Sequence, residues 1–99
     1  IREFAESADV QYVNHTFTSH LQLSASLQAY AGSVKSTLAE YPMQLKSLAW
    51  DITKNHMLKD DNGCITIPLE VGHGMIINEK ALDQYKMDVE ILINSKKVF

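Results

Sequence analysis

Between Leu21 and Tyr41 the apolar residues recur at Leu23, Leu27, Tyr30, Ala31, Val34, Leu38 and Tyr41. Steps of three and four residues place side chains on one face of an α-helix, so the spacing predicts a continuous helix over 21–41. Ser24, Gln28, Ser36 and Glu40 fall on the other face. Thr18 or Ser19 is suited to cap it, because a short hydroxyl can accept from the free N–H groups of a first turn. Gly32 sits in the interior at a cost of about 1 kcal/mol relative to alanine. Pro42 disfavours helical geometry at Tyr41, and a second helical pattern follows at Leu45, Leu48, Ala49, Ile52 and His56, placing a helix over 43–57.

The pattern then changes period. Lys59-Asp60-Asp61-Asn62-Gly63 is a turn, since Asn-Gly accepts left-handed backbone and aspartate bonds nearby amides. Ile65, Ile67, Leu69 and Val71 alternate with polar or neutral residues, as one face of a strand does. Pro68 cannot donate to a ladder and confines that strand to an edge. Gly72-His73-Gly74 breaks the run, and Met75–Ile77 restarts a short strand. Asn78 caps a short helix from Glu79 to about Tyr85, and Met87 to Ile93 alternate again. Ile1 to Ala8 reads as a short helix and Val10 to Phe17 as a strand. Helices in the first two thirds (about 19–57) and strands in the last third (about 64–93) predict an α+β fold. Amphipathic helices would pack on a small, mostly antiparallel C-terminal sheet. The 99 residues suit a single small domain, either complete or a piece of a larger protein.

Composition narrows the class. With 45% hydrophobic residues and only 4 glycines and 2 prolines, the chain is not of a disordered type. No run reaches the roughly 18 apolar residues of a membrane span, and no basic-then-apolar leader is visible. The net charge of -3 is uneven. The middle of the chain sets Lys35, Lys46, Lys54 and Lys59 against Glu40 and Asp51, while residues 60–99 are acidic. Arg2 is the only arginine, which argues against a dense nucleic-acid-binding patch. The lone Cys64 excludes an internal disulfide. Its place at the start of an apolar run predicts a buried, inert thiol, and this gives a slight lean towards the cytoplasm.

Candidate chemistry is sparse. His15, His20, His56 and His73 lack the close spacing of a compact metal motif, so no metal and no cofactor is expected. Asp60-Asp61-Asn62-Gly63 lacks the closing glutamate of a calcium loop. His73 between two glycines is the histidine best placed to be exposed for acid–base work, although no partner is tied to it by motif. Asn14-His15-Thr16 matches the glycosylation triplet, a pattern frequent by chance.

The leading expectation rests on the length of the apolar stripe. Six turns span about 30 Å, more than a small sheet covers, and exposed apolar area marks interfaces. The chain therefore reads as a non-enzymatic assembly or structural module, an oligomer or a subunit of a larger complex. Its protein–protein interface would comprise Leu23, Leu27, Tyr30, Val34, Leu38, Tyr41 and Trp50. The alternative is a nucleic-acid-associated or regulatory domain using Lys35, Lys46, Lys54 and Lys59. A small enzyme using His73 is a third class with no nameable substrate.

Overall fold

A computed structural model describes residues 1–98. It contains helices α1 (Arg2–Ser7), α2 (His20–Leu27), α3 (Ser47–Asp51) and α4 (Glu79–Tyr85), with a 3-10 turn at Gln28–Tyr30 continuing α2. Strands β1 (Leu92–Ile93) and β2 (Lys96–Lys97) pair antiparallel, Leu92 opposite Lys97 and Ile93 opposite Lys96. Short helices with a two-stranded antiparallel sheet make the chain α+β in its coarse class.

The long helix is corrected. Helical backbone ends at Tyr30, and Gly32 adopts φ +73°, a left-handed conformation that stops a helix. The Tyr30 hydroxyl donates to the Leu38 carbonyl at 2.8 Å, which draws the following chain back past the helix end. Residues 34–41 are consequently non-helical, and the stripe divides. Leu23 and Leu27 are buried, whereas Val34 and Leu38 are 90% and 63% exposed. The helix expected over 43–57 shrinks to Ser47–Asp51. The strand expected over 64–71 is reduced to a bridge between Lys59 and Ile65, and Ile77 makes a single bridge to Thr53.

Local signals hold where the chemistry is local. Ser19 caps α2 by accepting from the Gln22 N–H at 3.2 Å. Asp60 accepts from the N–H groups of Asn62 (2.9 Å) and Cys64 (2.7 Å), closing the 59–63 turn with Gly63 at φ +78°. Asn78 precedes α4, but its side chain donates to the Asp51 carbonyl at 3.0 Å rather than capping the helix.

The core is small. Leu23, Leu27 and Met57 are its buried apolar residues, with Tyr30, Tyr41, Ile65, Ile67 and Met75 packed against them. Around it the buried side chains are largely polar: Asn14, Thr16, Ser19, His20, Ser24, Ser36 and Thr53. The accessible surface is 7719 Å², against about 5,700 Å² for a self-contained globule of this mass. The radius of gyration is 17.7 Å, against about 13 Å for a compact 100-residue domain. Phe4, Val34, Leu69, Val71 and Met87 all stand more than three quarters exposed. This chain presents apolar surface that a domain folding alone would bury. Among the described residues no helix is long and apolar enough to cross a membrane.

Candidate functional site

Two extended segments, residues 11–17 and 36–42, run beside α2 without forming a regular ladder. Side chains join them instead. Asn14 is 3% exposed. Its carboxamide oxygen accepts from the Glu40 N–H at 2.8 Å and its amide donates to the Glu40 carbonyl at 3.2 Å. The same amide lies 3.2 Å from the Thr16 hydroxyl and 3.3 Å from that of Ser26. Thr16 donates to Ser26 at 2.9 Å, and Ser26 donates to the Leu23 carbonyl at 2.9 Å, so the web is anchored on α2. The Asn14 N–H donates to the Tyr30 hydroxyl at 2.8 Å. Burial pushes the Tyr30 phenol above its ordinary pKa, so it remains a neutral donor and acceptor.

This web holds up a histidine–carboxylate pair. His15 Nδ1 lies 3.0 Å from Glu40 Oε2, and that oxygen also accepts from the Thr16 N–H at 3.0 Å. The His15 side chain is 80% exposed and that of Glu40 30% exposed. His15 meets the Phe17 ring edge-on with centroids 4.6 Å apart. Glu40 faces the Nδ1 side of the ring, and Nε2 lies on the side turned away from it. The arrangement is that of an oriented general base.

A second layer ties α1 to the same region. The carboxylate of Glu6 accepts from the Ser33 and Ser36 hydroxyls, and Ser36 accepts from the Tyr12 N–H at 3.1 Å. Those two hydroxyls, Ser33 foremost, hold the Glu6 carboxyl below its usual pKa.

The other histidines are differently housed. His20 is 1% exposed. Its Nδ1 accepts from the Met57 N–H at 3.0 Å, and its ring packs 5.2 Å from Trp50, 5.3 Å from His56 and 6.0 Å from Tyr41. Trp50 and His56 stack at 3.8 Å. Burial, and after it the neighbouring His56, holds the His20 imidazole below its ordinary pKa. His73 does not present the exposed ring expected between two glycines. Its Nδ1 is buried without a partner, and its carbonyl accepts from Ser24. Cys64, expected to be buried, is exposed. It lines a cleft of about 380 Å³ with Leu27, Tyr41, Lys59, Ile65 and Ile67.

The residues expected to form an interface do not share one face. Leu23 and Leu27 lie in the core, Tyr30 and Tyr41 pack against it, Val34 and Leu38 are exposed on non-helical backbone, and Trp50 stacks on His56. The four lysines are also dispersed. Lys35 pairs with Asp9 at 3.0 Å, Lys59 lies over the Tyr41 ring at 5.2 Å, Lys46 precedes α3, and Lys54 is exposed. His15 and Glu40 were not singled out by spacing. The only trace of the site was the Asn14-His15-Thr16 triplet, read as a glycosylation match. Asn14 is buried and fully hydrogen-bonded, so it is no surface acceptor.

Residues 1–81 match the model of the family described as enolase C-terminal domain-like. The chain is also similar to a crystal structure of a predicted mandelate racemase from Rhodobacter sphaeroides, with 41% identity and a TM-score of 0.84, over 98% of this chain and 25% of that one. The chain thus spans a quarter of that neighbour's length. No curated protein matches it. These likenesses overturn the expectation of a non-enzymatic assembly or structural module, and with it the nucleic-acid alternative.

Proposed function

This chain belongs to the enolase C-terminal domain-like family, and on that premise we propose that it is a segment of a larger enzyme in which His15 and Glu40 move a proton at carbon. The observation that carries this reading is the 3.0 Å contact between His15 Nδ1 and Glu40 Oε2, with the imidazole otherwise open to solvent. The surplus of exposed apolar surface supports the larger enzyme, because the remainder of such a chain supplies the cover that this segment lacks.

The reaction class is removal and return of a proton next to a carbonyl. Racemisation of a 2-hydroxy acid, the activity in the neighbour's description, needs that chemistry at its C2 carbon. His15 Nε2 takes the proton from C2, the C–H electron pair moves into the carboxylate as an ene-diolate, and Glu40 balances the new charge on the ring. Return of the proton by the same nitrogen gives exchange with solvent, and inversion needs a donor on the opposite face from the rest of the enzyme. Sites of the enolase superfamily use a lysine or histidine base together with one or two magnesium ions that stabilise the ene-diolate. Among the described residues no three His, Cys, Asp or Glu side chains converge as a cation site.

The test is hydrogen exchange in D2O by the full-length enzyme over a panel of 2-hydroxy carboxylates that includes both mandelate enantiomers. Loss of the C2–H proton signal is expected with the wild type. His15→Asn should slow it by about 10²- to 10⁴-fold, the usual contribution of a general base. No exchange across the panel, or exchange undiminished by His15→Asn, would overturn the reading.

A further inference from the structure

The contact between His15 and Glu40 joins residues 25 positions apart along the chain, on segments without a ladder between them. Something must fix their register, because a general base loses its effect when its partner drifts by an ångström. We infer that Asn14 is the positioning residue of this pair. Its carboxamide faces the Glu40 peptide as a neighbouring strand would, accepting from the N–H at 2.8 Å and donating to the C=O at 3.2 Å. This inference rests on His15 and Glu40 being the proton-transferring pair.

Three features mark the role as directional. Asn14 is adjacent to His15, so one residue holds the base through the chain and the carboxylate through the amide. Its 3% exposure makes both polar atoms of the carboxamide require partners, and each has them. Only an amide satisfies both the N–H and the C=O of residue 40. A carboxylate of the same shape has no hydrogen to donate, and it meets the Glu40 carbonyl acceptor to acceptor. With the peptide of residue 40 released, Oε2 leaves His15 Nδ1 and the Thr16 N–H together, since one oxygen serves both.

The experiment measures how fast diethyl pyrocarbonate modifies His15 in the full-length enzyme, by peptide mass spectrometry. Buried His20 is the internal control, because it stays shielded as long as the fold is closed. Measured well above pH ~6.5, so that neutral imidazole is compared with neutral imidazole, Glu40→Gln should slow the modification of His15 severalfold, because the carboxylate facing Nδ1 no longer donates electron density to the ring. Asn14→Asp should slow it as much although both members of the pair remain, and the double variant should be no slower than either single one. In proton exchange Asn14→Asp should lower kcat and leave KM within about twofold, the signature of a group that acts on the reacting state. A wild-type rate in Asn14→Asp beside a slowed Glu40→Gln overturns the role of Asn14 alone. A wild-type rate in Glu40→Gln overturns the pair, and Asn14's role with it. Where Asn14→Asp exposes His20, Thr16→Val decides: it removes the hydroxyl 3.2 Å from the Asn14 amide and keeps the Thr16 N–H that meets Glu40. A slower His15 supports the positioning role, and an unchanged one overturns it.

Discussion

His15 and His20 are five positions apart, and the two rings sit in opposite surroundings. His15 projects from a web of amides and hydroxyls in which both polar atoms of the Asn14 carboxamide have partners, and its ring is largely in solvent. His20 is enclosed by Trp50, His56 and Tyr41, and its Nε2 is among the buried atoms without a partner. The first ring is oriented and accessible, so it can do chemistry. The second is oriented and sealed, so it can only hold the structure, here by accepting from Met57. Access and a fixed partner, rather than residue type, separate a base from a strut.

Exchanging the two roles in an experiment gives the largest contrast. His15→Asn should cost 10²- to 10⁴-fold in proton exchange, on the order of 3–5 kcal/mol of activation free energy, with little change in melting temperature. A melting temperature that falls with the activity would make His15 structural as well. On the sealed side Leu23, fully buried beside His20, should show the reverse. Leu23→Ala should destabilise by about 2–5 kcal/mol in a denaturant titration, and kinetics below the transition should stay near wild type.

Acid should lower stability through the sealed ring. Because the folded His20 has a lowered pKa, the unfolded chain binds its proton more readily. Above the ordinary histidine value of about 6.5 both states are neutral and nothing is lost. As pH falls below that value stability declines, and the decline levels off once the folded ring is protonated too. Protonation at Nδ1 also removes the acceptor for the Met57 N–H. His20→Leu should flatten this acid limb of a melting-temperature profile. An equally steep limb would move the effect to His56 or another group. The smallest contrast concerns two turn glycines with similar backbone. Gly63→Ala should cost about 1–2 kcal/mol from its φ of +78° alone, as nothing lies within 4 Å of an added Cβ. Gly74→Ala should cost more, because its Cβ would fall 2.2 Å from the Pro68 Cβ. Equal melting shifts would show that Pro68 can yield.

Much of the local architecture was legible along the chain. The Ser19 cap and the 59–63 turn rest on side chains bonding to backbone a few residues away, and the helix at 79–85 on its own apolar spacing. The stripe over 21–41 was read correctly as far as Tyr30 and no further. Periodicity does not register that Gly32 turns left-handed, nor that the Tyr30 hydroxyl reaches Leu38 and Asn14. The same blindness hid the site. His15 carried no close-spaced partner, and Glu40 looked like the wet side of a helix.

The order of residues alone therefore determined the class of each short element, the places where the chain turns, and the absence of any apolar run long enough for a membrane. Those properties depend on interactions within about one turn or one hairpin. Tertiary structure decided which histidine meets a carboxylate, which is sealed behind an indole, and where the central helix stops. Each of those outcomes is set by a contact between groups distant in the chain. Hydrogen-bond partners and burial at such range follow from how the segments pack together, not from the period of any one of them.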